Sequence, residues 1–215
     1  MTLDALPLFP LHTVLFPGGL LPLQIFEVRY LDLMRRCEAS GEPFGVVSLV
    51  RGHEVRRAPQ PGETASPAEA LADVGTLATL EQVEHPQPGL MLVRCRGGQR
   101  FRLGAHAQQA HGLWTGQATL LPDDPPVPVP DELASLAPRL QDALRALGED
   151  LPAAIVRATD PRWQDAGWLA NRWSELLPIP AEARQRLMTL DNPVWRLELV
   201  SEWLERLGRQ ADAAR

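Results

Sequence analysis

Lysine is absent from this chain of 215 residues, and all 21 of its basic residues are arginine. The absence reads as composition bias, but it removes lysine general bases, Schiff bases and phosphate-loop lysines from the available chemistry. Cysteine is almost as scarce. Cys37 and Cys95 are the only two, they lie far apart, and no Cys-x-x-Cys spacing exists. They read as buried, reduced thiols of a cytoplasmic protein. No apolar run approaches the roughly 20 residues that span a bilayer, so no membrane partner is expected. The first residues lack the basic segment and apolar core of a signal peptide. Basic residues are outnumbered 21 to 27, a formal charge of −6, which disfavours broad phosphate-backbone binding.

Recognisable catalytic motifs are missing as well. The chain has no Gly-x-x-x-x-Gly-Lys loop and no Gly-x-Ser-x-Gly elbow. Its five histidines, His12, His53, His85, His106 and His111, sit in no His-Glu-x-x-His context. They read as surface or loop residues, so no metal and no cofactor is expected.

What is present begins with residues 6–30, LPLFPLHTVLFPGGLLPLQIFEVRY. This stretch is strongly apolar yet carries Pro7, Pro10, Pro17, Pro22 and the pair Gly18-Gly19. Prolines at that density exclude a helix, so short extended segments and tight turns are predicted. Proline fits poorly in a central strand, which places at least one segment at a sheet edge or barrel rim. Residues 27–37 are free of Pro and Gly. Tyr30, Leu31, Met34 and Cys37 recur there at helical spacing.

The stretch PLFPLHTVLFPGGLLPLQIFEVRYLDLM resembles the start of the Lon N-terminal domain family, the substrate-recognition domain of ATP-dependent Lon proteases. VGTLATLEQVEHPQPGLMLVRCRGGQRFRL resembles the same family's segment in which a Gly-rich hairpin precedes Arg-Phe-Arg, here Arg100-Phe101-Arg102. LPIPAEARQRLMTLDNPVWRLELVSEWLERL resembles the helical segment that follows. The resemblance implies an α+β protein, a PUA-like β-barrel of about six or seven strands with one early helix, then an all-α bundle. It also implies recognition of protein segments. Lon proteolysis needs a Ser-Lys dyad and a phosphate-binding ATPase, and neither can be assembled without lysine.

Along the chain, residues 44–50 are apolar on both faces, as in a central strand. Residues 51–72 read as a long loop with a helical turn near residues 67–71. A strand is predicted over 74–83, with Gly75 marking a bulge or a close backbone approach. Residues 85–89 make a turn. Residues 90–96 and 100–103 then read as a hairpin around Gly97-Gly98-Gln99. That register gathers Val93, Cys95, Phe101 and Leu103 inside and Arg94, Arg96, Arg100 and Arg102 on one solvent face. A half-buried strand follows at 113–121.

The predicted boundaries are a barrel at 1–122, a Pro-rich linker at 123–130, a helical bundle at 131–208 and a frayed tail at 209–215. In the bundle, Leu133, Leu136, Leu140, Leu144 and Leu147 form one apolar stripe, with Gly148 as its C-cap. Asp150 and Asp160 are N-cap candidates, and Pro161 follows the latter. Leu169, Trp173 and Leu176 form a second stripe. A helix over 181–190 and a last one capped by Asn192-Pro193 complete the set. The last carries Trp195, Leu199, Val200, Trp203, Leu204 and Leu207. Five of the six tryptophans lie after residue 160 and read mainly as bundle core, with some available to line a partner groove.

Two candidate binding sets emerge. Arg94, Arg96, Arg100 and Arg102 form an arginine ladder able to grip a carboxylate, a phosphate or an acidic segment. An ordinary solvated face paired to glutamates is the competing reading. Phe26, Glu27, Arg29 and Tyr30 stand at the entry to the first helix, where Glu27 also complements the helix dipole. The function these features imply is a non-enzymatic binding module for unfolded or peptide segments of protein partners. An RNA-binding barrel and a small-molecule enzyme between barrel and bundle are the alternatives.

Overall fold

In the computed structural model, which describes residues 1–51, 70–147 and 160–213, the Pro-rich opening is two strands: β1, Thr2–Leu11, and β2, Leu20–Ile25. The helix α1, Val28–Ser40, follows, and then β3, Phe44–Arg51, β4, Ala70–Leu71, β5, Val74–Gln87, β6, Leu90–Gln108, and β7, Trp114–Leu120. The predicted loop over 51–72 falls largely on residues 52–69, outside the described residues. Its predicted helical turn does not reach Ala70–Leu71, which is extended and pairs with β3.

The sheet closes on itself. Its order is β1-β7-β6-β5-β3, and β3 returns to pair with β1 in parallel. The result is a five-stranded ring with β4 added to β3 and β2 added to β6, seven strands in all. Alternation along the strands separates two clusters. Leu6 and Leu8 of β1, Val47 of β3, Phe101 of β6 and Ala118 of β7 fill the ring. Phe9 and Leu11, one step out of phase, pack on the opposite side with Phe44, Val46, Met91, Val93, Cys95 and the buried stripe Tyr30, Leu31, Leu33, Met34 and Cys37 of α1. Both faces of β1 and β3 are therefore buried, which explains their near-continuous apolar sequences. Burial pushes the Cys95 thiol up to about 12 and the Cys37 thiol in the same direction, so neither is a thiolate at neutral pH.

The predicted hairpin at Gly97-Gly98-Gln99 is not formed, because β6 runs straight through it. The turn lies earlier, at Pro88-Gly89, where Gln87 pairs with Leu90. The glycines instead absorb a bulge. Thr76 pairs with Arg100 and Ala78 with Gly97, so β6 spends one more residue than β5 over that interval. The extra residue exchanges the faces of the strand. Val93 and Cys95 thus face α1, whereas Phe101, with half-buried Leu103, enters the ring. Gly75 is a close approach, as expected. A Cβ there would stand 2.6 Å from the Val46 carbonyl oxygen and 2.6 Å from Phe101 Cζ.

The chain divides into two compact units, Met1–Asp123 and Asp124–Arg215. In the second, α2 is Leu136–Ala146, α3 is Ala166–Leu176, α4 is Ala181–Thr189 and α5 is Pro193–Ala213. Leu136, Leu140 and Leu144 are buried, while Leu147 lies in the open, and Gly148 and Asp150 fall outside the described residues. Asp160 caps a short 3-10 turn, Pro161–Gln164, through the Arg162 amide. The cap of α3 is Asp165, whose carboxylate accepts from the Trp168 amide at 2.7 Å and the Val127 amide at 3.1 Å. The Pro-rich segment before the helices is extended and held in place. Ala166 donates to the Val127 carbonyl and Val129 to the Gln164 carbonyl. Asn192 Oδ1 caps α5 by accepting from the amides of Val194 and Trp195. Rather than fraying at residue 208, α5 stays helical to Ala213.

Glu175, near the end of α3, pairs with Arg172 at 2.7 Å. Burial nevertheless dominates and pushes its carboxyl up to about 7, against the pull of Arg172 and Arg184. Folding therefore favours the protonated acid. The stabilisation is complete below the ordinary carboxyl range and is lost as pH rises through 7. One partly exposed group of this kind should lower the unfolding free energy by about 1–3 kcal/mol between pH 4.5 and 7.5. Chemical denaturation of the wild type and Glu175→Gln across that range checks it. Parallel pH profiles for the two proteins would refute the assignment.

Candidate binding surface

Cross-strand partners share a face of a sheet. Along the first half of β6, Arg96 lies opposite Leu20 of β2, Arg94 opposite Pro22 and Leu92 opposite Gln24. On the other flank the same residues meet Thr79, Gln82 and Glu84 of β5. The alternate set, Met91, Val93 and Cys95 with Ile25, belongs to the core beneath α1. The β2–β6–β5 layer therefore has one face sealed by α1 and one face open to solvent.

That open face is not simply polar. Leu92 is 38% exposed, and Phe26, which continues the exposed alternation one residue past β2, is 54% exposed. Arg94 and Arg96 continue the same row of β6. Arg96 donates through Nε to Glu81 and through Nη1 to the Gly18 carbonyl at 3.1 Å. Arg94 stands 3.9 Å from the same Glu81 carboxylate. The face thus has an apolar end, Phe26 and Leu92, and a cationic end held upright by one carboxylate. At about 3.3 Å per strand residue, it spans roughly 20 Å from Leu20 to Phe26.

The other candidates lie elsewhere. Arg100 is 4% exposed. The bulge before it turns it to the face opposite Arg94 and Arg96, in register with buried Thr76. Arg102 is exposed but shares that opposite face, in register with Val74. The four arginines therefore do not form one ladder. Arg29, Glu27 and Tyr30 brace the fold. Buried Arg29 donates to the Gly112 carbonyl at 2.8 Å, pairs with Glu27 at 3.0 Å and stacks its guanidinium over the Tyr30 ring at 4.5 Å. The Tyr30 ring in turn stacks on Phe9 at 4.0 Å. Leu92 and Glu81 are members of the surface that no sequence candidate included. Their signal was parity: Leu92 stands an even number of residues from Arg94 and Arg96, so it had to share their face.

Beneath this layer, a groove of about 400 Å³ runs between α1 and the β5–β6 turn, with Leu31, Leu90 and Met91 as its floor and Arg35 and His85 at its rim. His85 sits 3.4 Å from Glu38 of α1 across that rim. Among the described residues, no three His, Cys, Asp or Glu side chains gather as a metal site. Nor is any described helix long and apolar enough to cross a membrane.

A closed β-ring with one packed helix and one open sheet face, followed by helices in a second unit, defines a mixed α+β protein. Residues 5–206 match the family model of the ATP-dependent protease La (LON) substrate-binding domain, so the chain belongs to that family. A solved Lon N-terminal domain protein from Xanthomonas campestris is 30% identical, with a TM-score of 0.72 over 94% of this chain and 99% of that one. The N-terminal domain of a Mycobacterium avium complex Lon protease shares the fold, with a TM-score of 0.59 at 17% identity over 93% of this chain and 97% of that one. The Lon protease of Anaeromyxobacter dehalogenans is 26% identical over 94% of this chain, which spans only 23% of that protein. Cereblon of Danio rerio is 30% identical over 63% of this chain and 29% of its own length.

Proposed function

We propose that this chain is a non-enzymatic recognition module that engages unfolded or peptide-like segments of protein partners on the open face of the β2–β6–β5 layer. The observation that carries the reading is the pair Phe26 and Leu92, two large apolar side chains left in solvent on a sheet whose other face is core. Phe26 and Leu92 would take apolar side chains of the segment. The remaining donors of Arg94 and Arg96 would take its carbonyls or carboxylates. The outer edge of β2 contributes little backbone pairing, because Pro22 has no amide proton to offer an added strand. Membership in a substrate-binding family points the same way.

The RNA reading draws less support, since the two arginines on this face already meet Glu81 and the chain is acidic overall. The test is a calorimetric titration with a reduced, alkylated and therefore unfolded polypeptide. The double variant Phe26→Ser/Leu92→Ser should bind at least about tenfold more weakly, with an unchanged circular dichroism spectrum. Arg94→Ala should cost only about two- to fivefold. Undiminished affinity in the double variant would remove this face from consideration.

A further inference from the structure

The groove between α1 and the β5–β6 turn opens onto the core. Leu31 and Met91, both members of the cluster beneath α1, line it together with half-buried Leu90. Its outer wall is the turn itself, Pro86, Gln87, Pro88 and Gly89. One turn of α1 before Leu31 stands Val28, an apolar residue that is 72% exposed. Residues three apart share a helix face, so Val28 extends the apolar side of the groove along the helix.

The groove also meets the open face of the β2–β6–β5 layer. Ile25 pairs with Met91. One step further along that register, Phe26 comes opposite Leu90, so the apolar end of the open face and the lining of the groove touch across two strands. Among the described residues, five large apolar side chains of the first unit are exposed, and three of them, Phe26, Val28 and Leu92, gather at this end. Scattered singly they would need no explanation, but grouped around a groove they mark a contact surface. The rim does not select a charged ligand. Arg35 pairs with Asp32 at 2.9 Å, and His85 lies 3.4 Å from Glu38, so each basic group already faces a carboxylate. What the groove offers is apolar volume, about 400 Å³, with few polar groups around it.

We infer that this groove is a second anchoring pocket, which takes one bulky apolar side chain of an extended segment whose nearby apolar residue lies on Phe26 and Leu92. The inference rests on the peptide-binding reading and narrows it. Leu90 and Leu92 are two strand residues apart, roughly 7 Å, and the reach into the groove adds a few ångström, so the two anchors stand roughly 7–10 Å apart. An extended segment covers that distance in about two or three residues. The recognised class is therefore a segment with two large apolar residues about three positions apart that passes over the end of the layer. A lone apolar residue fills only half of the site, and an acidic stretch gains nothing from the rim.

The probes are peptides of about twelve residues, built of serine and glutamine with blocked ends, carrying one leucine or two leucines about three or about eight positions apart. Each is titrated into the isotope-labelled full chain and followed by heteronuclear NMR. The close pair should bind at least about tenfold more tightly than the single leucine and should shift the amides of Arg35 and Gly89 together with that of Leu92. The wide pair should gain no more than about twofold. Val28→Ser/Leu90→Ser should remove the advantage of the close pair and leave the single-leucine affinity within about twofold. Raising salt from about 50 mM to about 500 mM should leave that advantage unchanged. A close pair that binds no better than one leucine overturns the pocket while the open face stands, and this comparison uses the unaltered chain. A gain that survives Val28→Ser/Leu90→Ser overturns it as well. If Phe26→Ser/Leu92→Ser leaves the single leucine bound as before, the open-face reading itself fails and the pocket falls with it. A gain that instead requires a free terminal carboxylate and disappears at high salt hands the groove to an anion and overturns the apolar assignment.

Discussion

Replacing Arg196 by methionine should cost the second unit about 3–5 kcal/mol, the largest effect expected of any single helical-bundle substitution. Arg196 is 1% exposed. Its guanidinium bonds Asp124 at 2.5 and 3.3 Å, Asn171 Oδ1 at 2.9 Å, the Leu187 carbonyl at 3.0 Å and the Leu190 carbonyl. One side chain thereby ties the Pro-rich segment, α3, the end of α4 and α5 together. It also neutralises a carboxylate that is itself largely out of water. Methionine fills most of the same volume, so the loss is not a cavity effect. It is the cost of leaving a charge and three neutral acceptors without donors. Arg196→Lys should recover only part of it, since a single ammonium cannot reach acceptors spread around a planar fork. Asp124→Asn should reduce the penalty of Arg196→Met when the two are combined, which a double-mutant cycle by urea denaturation reads as coupling. Additive effects would mean that the ion pair is not what holds these segments.

The second large effect belongs to the barrel. Gly97→Val should destabilise the first unit by about 3 kcal/mol or more. A Cβ at this position would sit inside contact distance of the Phe16 carbonyl oxygen, and Leu15 Cγ is 3.1 Å away. The obstacle is backbone, so no rotamer relieves it. The backbone cannot retreat either, because the Gly97 amide donates to the Gly19 carbonyl at 2.8 Å and its carbonyl accepts from Gly18 at 2.7 Å. Those two bonds hold the β1–β2 loop against the bulge that exchanges the faces of β6. A fall in melting temperature of about 10 °C or more is expected. Gly98→Val should be far milder, since its nearest neighbours lie at 3.6 and 3.8 Å. Equal effects at the two glycines would sink the account.

This pair of glycines also shows where reading the residues reaches its end. Two glycines and a glutamine between β-rich runs carry the same local signal whether the chain reverses or bulges. The choice depends on what lies across the strand, and that information sits in residues 74–78 and in the loop at 16–19. Because the reversal was the wrong branch, the arginine ladder was wrong with it. Arg94 and Arg96 share a face, and Arg100 and Arg102 share the other. Phe26 was legible as a candidate. Its company was not, because Leu92 becomes a surface residue only once α1 has claimed the opposite side of β6. Trp195 failed in the same manner. It stood among the apolar residues of the last helix, and only the burial of Arg196, Leu197 and Val200 shows that the first turn of α5 leaves Trp195 on the solvent side.

The amino-acid order alone decided that the opening is extended, that one helix follows it, that Asp160 and Asn192 cap what comes after them, and that no lysine chemistry is available. Each of these is a local matter of backbone donors, side-chain caps and periodicity, settled within a few residues. Ring closure through the parallel β1–β3 pair, the exchange of faces along β6 and the outward side of α5 were decided only in three dimensions. They depend on which of several compatible faces is sealed first by distant segments, and that competition is won by buried area and satisfied charge across the whole chain rather than by any short stretch of it.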